Sequence, residues 1–269
     1  MTKVSDILRT KVAPVLSFSF VFPIFLLTTI VHEIGHGIIA LALGGRVLAI
    51  ELYRDAAFIR AHFDTQPNSV GYGVFLAGGW LAQYALGLLT ILAIRKLGTK
   101  NFLLSSLTLW IILQNLIAPS MSLGSLQGDS YSLATTLVDA SGIEVTPLLL
   151  QVSALFFVLA TAYICERETE AYLRNAFPWL RKPRIRVIAA LIILSYIAVS
   201  IIYFFAKFSY PQYFLAIALG ITMLSLTIPS TSLAEQTKNF SLRDLVFSFL
   251  FFSSISALFL FATPIFIQF

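Results

Sequence analysis

The stretch Thr28-Thr29-Ile30-Val31-His32-Glu33-Ile34-Gly35-His36-Gly37-Ile38-Ile39-Ala40 decides how this chain is read. It lies in an apolar segment, residues 15–43, whose only ionisable side chains are Glu33 and the two histidines. A segment of that length is predicted to cross a bilayer as a helix, which needs about 20 apolar residues. On such a helix His32 and His36, four residues apart, share one face and can reach one metal ion. Glu33 is turned about one residue away, beside the position of a metal-bound water, where a carboxylate can take a proton. A chance H-E-x-x-H is expected in roughly 1% of chains this long at average composition. Ionisable residues inside a membrane helix are costly and mark function by default. The competing explanation is a hydrogen-bonded polar cluster that ties helices together.

The rest of the chain has the same solvent. Of 269 residues, 58% are hydrophobic and 12% charged, and the mean hydropathy is +0.88. Soluble domains carry roughly 25% charged residues. Seven apolar segments are predicted, at about 15–43, 70–94, 102–119, 147–164, 187–206, 213–228 and 245–267. The fold class is therefore an all-α polytopic membrane protein of about six to seven transmembrane helices, the lipid bilayer being its main partner. The net charge of +5 suggests no nucleic-acid partner, because the basic residues gather at segment ends, where they orient helices. Arg95, Lys96, Arg181, Lys182, Arg184 and Arg186 fall in loops on the same side as Lys3, Arg9 and Lys11, against Arg46, Arg54, Arg60 and Lys207 on the other. That asymmetry predicts an N-terminus inside the cell. Cys165, the single cysteine, excludes an internal disulfide and reads as a small buried hydrophobe.

Two connections stand out. Residues 46–64, rich in β-branched and aromatic types, are predicted to form a short β-hairpin with a turn at Arg54-Asp55. Residues 119–146 are predicted to hold a loop and then a short helix with Asp129 near its start. A catalytic zinc usually has three protein ligands and one open position. Asp129 is a candidate third ligand or, equally, a helix N-cap. His62, Glu51, Asp64 and Asp139 are weaker candidates in connections facing water. Glu166, Glu168 and Glu170 read as a solvated charged loop.

The run His32-Glu33-Ile34-Gly35-His36 with the trailing Gly44-Gly45, the stretch Leu76-Ala77-Gly78-Gly79-Trp80-Leu81-Ala82, and Asn115, Pro119 and Asp129 together resemble the core of the site-2 protease family of intramembrane zinc metalloproteases. The resemblance covers roughly residues 28–137. Asp129 is followed by Ser130 where that family has Gly, and Trp80 stands where it has Pro. The resemblance implies one catalytic Zn2+ held by His32, His36 and Asp129, with Glu33 as the base. It further implies Asn115 as a substrate-binding residue, or else a helix-joining one, and a transmembrane protein as substrate. A substrate helix must unwind before its carbonyl can be reached, and the 46–64 hairpin would hold it as an added strand. In familiar bacterial members the motif helix runs from outside to inside, opposite to the charge asymmetry here. The chain is treated as one domain, residues 12–143 forming a protease-like core and 144–269 additional helices. The rival readings are a membrane metalloprotease similar to the CAAX prenyl proteases, whose third ligand would be Glu166 or Glu235, and a non-proteolytic metal-binding membrane protein.

Overall fold

The computed structural model describes residues 21–53, 57–97, 102–126, 128–176 and 265–269, with single residues and short runs between 185 and 254. The predicted segments at 187–206 and 213–228, most of that at 245–267, and the Arg54-Asp55 turn lie outside the described residues. The described chain is mostly helical with one small sheet: α1 (Val21–Ala42), β1 (Arg46–Leu52), β2 (Ala57–His62), α2 (Ser69–Leu97), α3 (Phe102–Ser125), α4 (Asp129–Ser141), α5 (Thr146–Ala176) and β3 (Ile265–Gln268). Three of the described helices, over Ser69–Leu97, Leu107–Gly124 and Thr146–Arg174, are long and apolar enough to cross a membrane; Leu26–Ala42 is a shorter apolar helix.

Small residues set the spacing of the first two helices. Gly35 of α1 and Gly78 of α2 meet backbone to backbone, and a Cβ added to Gly78 would lie 2.8 Å from the Gly35 carbonyl oxygen. Such contacts let helices approach closely where lipid removes the hydrophobic incentive to associate. The glycines beside the motif thus serve packing rather than open space. Behind this pair, α3 packs on α2 and α5 through Leu109, Ile112, Leu113, Leu116, Ile117 and the buried Cys165.

Two segment ends differ from the sequence expectation. Helix α3 continues past Pro119 to Ser125. Helix α5 continues past Ile164 to Ala176, so Glu166, Glu168 and Glu170 stand on a helix and not in a loop. Glu168 pairs with Arg95 of α2, and Glu170 pairs with Arg174 and Arg186. Arg95 and Arg186 arrive from outside α5, which local reading of the acidic run does not reveal.

The predicted hairpin forms: β1 and β2 pair antiparallel, Ile50 opposite Ile59 and Leu52 opposite Ala57, with an irregularity between Val47 and Ala49. The sheet has a third strand. Residues 265–267, assigned from sequence to the end of the seventh apolar segment, pair instead with Gln268 as β3 along the other edge of β1. The sheet order is β2-β1-β3, so β1 has no free edge.

Candidate metal centre

The local sequence accounts for the first two of the three side chains that could hold a metal ion. A regular α1 places His32 and His36 one turn apart, with ring centroids 4.7 Å apart. The third comes from α4. Gly128 adopts a positive φ of 58° and is the N-cap, with no side-chain capping bond, so Asp129 is the first helical residue. Its carboxylate is released from capping and turns to α1. His32 Nε2 lies 2.9 Å and His36 Nε2 3.2 Å from Asp129 Oδ2, and the two Nε2 atoms are 3.1 Å apart.

These three atoms form a triangle close to one edge set of a tetrahedron. Zinc–ligand bonds of about 2.0–2.2 Å at tetrahedral angles put neighbouring ligand atoms roughly 3.3 Å apart. The donor chemistry fits as well. A carbonyl oxygen only accepts, so the 2.7 Å contact of His36 Nδ1 with the Phe75 carbonyl requires a proton on Nδ1. In the neutral ring, Nε2 then carries a lone pair. The His36 Nε2 lone pair and the Asp129 carboxylate oxygen, 3.2 Å apart, repel one another unless a proton or a cation lies between them. The His36 side chain is 4% exposed and that of Asp129 38%, which leaves the site approachable from the Asp129 side. Among the described residues, His32, His36 and Asp129 are the group of His, Cys, Asp and Glu side chains placed to hold a metal ion.

Glu33 is buried. Its carboxylate interacts with His32, His36 and Asp129 and accepts a hydrogen bond from the backbone amide of Ile59. The outer side of β2 therefore faces the motif.

The remaining sequence candidates stand elsewhere. Asn115 is wholly buried and donates to Thr28 Oγ1 (3.2 Å) and to the Ile111 carbonyl (2.8 Å), joining α3 to α1 one turn before His32. Glu51 is buried in the sheet, paired with Arg60, and accepts from the Tyr53 hydroxyl at 2.9 Å. Asp64 accepts from Arg46, 2.8 Å at the closer oxygen, and lies 3.4 Å from His62. The Arg46 hydrogen bond and charge hold the Asp64 carboxyl below its ordinary value. Asp139 is exposed on α4. Glu166 lies on α5 beyond the buried Cys165, and Glu235 is outside the described residues. Sequence reasoning missed Gln83, whose Oε1 lies 3.2 Å from His32 Nδ1. Its one signal was a lone amide within the apolar run of α2. It also missed that Gly79 touches the His32 ring.

The fold and this site define a membrane-embedded protein with a two-histidine, one-carboxylate centre beside a buried glutamate. The Peptidase M50B-like family model matches residues 10–163, more than half of the chain, and the chain belongs to that family. Membership marks it as a membrane metallopeptidase of the site-2 protease kind. No curated protein and no solved structure matches it.

Proposed function

We propose that the protein is an intramembrane zinc endopeptidase that hydrolyses peptide bonds in membrane-spanning proteins, the chemistry of regulated intramembrane proteolysis. One observation carries the reading: the convergence of His32 Nε2, His36 Nε2 and Asp129 Oδ2 within hydrogen-bonding distance of one another. Bound there, zinc would supply a Lewis acid that polarises the scissile carbonyl and acidifies the attacking water. The Glu33 carboxylate takes the proton from that water as it attacks and returns it to the leaving amine nitrogen. Burial keeps Glu33 away from bulk solvent, so the proton passes between enzyme and substrate.

The substrate must arrive extended, because a helix keeps its backbone bonds to itself. With β1 paired on both sides, the hairpin edge left for strand addition is β2. That edge already directs the Ile59 amide at Glu33. A substrate strand on β2 would run alongside α1 and bring its carbonyl to the centre. The contacts of Asn115 support its helix-joining role over the substrate-binding one.

The remaining sequence readings complete the proposal: six to seven spans in the cell membrane, N-terminus inside, with residues 12–143 as the protease core and 144–269 as helices packed around it in one domain. Zinc content decides the reading. Purified protein is expected to hold one zinc, Asp129→Ala much less, and Glu33→Gln full zinc with no cleavage of a membrane-spanning substrate. Full zinc in Asp129→Ala would move the third ligand to a glutamate, Glu166 or Glu235. Cleavage surviving in Glu33→Gln would favour a metal-binding protein without this hydrolytic centre.

A further inference from the structure

A zinc-ligating histidine works through the tautomer that leaves its inward nitrogen unprotonated, and that tautomer is set by whatever the other nitrogen meets. For His36 the partner is the Phe75 carbonyl. For His32 it is a side chain, and the direction of that contact follows from one further bond.

Gln83 is buried on α2, one turn after Gly79. Its Nε2 donates to the Thr28 carbonyl at 3.4 Å. A carbonyl accepts and cannot donate, so the NH2 end of the amide must face Thr28. The Oε1 end is thereby turned to His32 Nδ1 at 3.2 Å. Oxygen can only accept in its turn, so His32 carries its proton on Nδ1 and presents the Nε2 lone pair to Asp129 and His36. A chain of hydrogen bonds thus links a backbone carbonyl on α1, through an amide on α2, to the His32 ring. Gly79 completes the seat, since any Cβ there would strike the His32 ring. Asn115 holds Thr28 from the other side, through Thr28 Oγ1.

We infer that Gln83 is a positioning residue for the metal centre: it locks His32 in the Nδ1–H tautomer and aims Nε2 at the ion. The inference rests on the zinc reading proposed above, but the Gln83 contacts with Thr28 and His32 belong to the protein itself, so the tautomer can be read without metal. In apolar surroundings an imidazole with no partner on Nδ1 has no water to replace it. Removing the acceptor therefore frees the ring to adopt either tautomer and several orientations. Changes of this kind typically cost 10–100-fold in metal affinity.

The test uses the full chain in detergent, titrated with zinc against a competing chelator, with cobalt(II) as a spectroscopic substitute. Gln83→Leu is expected to bind zinc roughly 10–100-fold more weakly and to alter the visible cobalt spectrum. Gln83→Glu, which keeps an acceptor facing His32 but gives up the bond to the Thr28 carbonyl, is expected to recover part of the binding lost in the leucine variant. Nitrogen-15 spectra of histidine-labelled, metal-free wild type, with the His32 signals assigned by their loss in His32→Gln, give a reading that needs no Gln83 variant: His32 should appear as the Nδ1–H tautomer. Wild-type affinity in Gln83→Leu, a Gln83→Glu protein as weak as the leucine variant, or an Nε2–H tautomer at His32 would each overturn the inference. If the wild type binds no zinc, the proposed function fails, and the tautomer measurement still decides the role of Gln83.

Discussion

Two regions of this protein lie between apolar helices and are built in opposite ways. Where α3 meets α5, the contact is made by Leu113, Leu116, Ile117 and Cys165, large or soft side chains filling space. Where α1 meets α2 and α4, glycines bring the backbones together and polar side chains fill what is left: Glu33, His32, His36, Gln83 and Asp129. In lipid, apolar packing is not driven by the hydrophobic effect, so the first region supplies van der Waals contact and little else. The second carries charged groups that cost free energy in apolar surroundings. The difference teaches that the small residues of α1 and α2 are spacers for chemistry, set so that His32 reaches across to α4.

The sharpest way to break the comparison is to remove function from the polar region without touching its packing. Glu33→Gln keeps the size of the side chain and is expected to lower the cleavage rate by at least 10²–10⁴-fold, the usual contribution of a general base, with zinc content unchanged. Measured in a reconstituted cleavage assay, activity within tenfold of wild type would separate Glu33 from the chemistry.

The converse change belongs in the apolar region. Leu113→Ala leaves a cavity among fully buried side chains and is expected to destabilise by about 2–5 kcal/mol. Thermal unfolding in detergent should register this, while zinc bound per folded molecule stays the same. A loss of zinc at temperatures where the variant is folded would mean that the two regions are not independent.

A smaller effect sharpens the role of the glycines. Gly79→Ala places a methyl group against the His32 ring, and overpacking of that sort costs about 1–3 kcal/mol. It should appear mainly as weaker zinc binding. Gly124→Ala, whose Cβ would make only an ordinary 3.5 Å contact with Ala154, serves as the control. Equal zinc affinity in the two variants would remove the distinction between spacer and bystander glycines.

The smallest effect lies at the rim. Arg46 keeps Asp64 ionised to a lower pH than usual, so the pair stabilises the fold above the ordinary carboxylate value of 3.8 and loses that contribution as pH falls through the depressed one. Both groups are exposed, and salt screens them. Arg46→Gln should therefore leave neutral-pH melting nearly unchanged. A large shift at neutral pH and high salt would show the pair holding the start of β1 in place.

Particular residues show how far sequence reading reached. The hairpin was legible because strand-forming residues filled 46–52 and 57–62 with little else between them. The ligand pair and Glu33 were legible because the 3.6-residue turn fixes their mutual placement within five positions. Local sequence reads Asp129 equally as ligand or cap; with Gly128 as the N-cap, its carboxylate is free of capping. The helical acids of α5 were misread as a loop because Arg95, which neutralises Glu168, lies 73 positions away. Strand β3 was hidden in an apolar run that satisfies a membrane helix and a buried strand equally well.

The sequence by itself determined that the chain belongs in a membrane and that His32, Glu33 and His36 share one helical turn able to face a metal ion, since composition and i, i+4 spacing act locally. Only the tertiary structure decided that Asp129 meets the two histidines, that Gln83 faces His32, and that β1 is flanked on both sides among the described residues. Those contacts join residues 97 and 51 positions apart, and Ala49 to Gln268 in the sheet. Over such distances no helical or strand period connects one residue to the other, and the placement follows from how glycine-spaced helices pack.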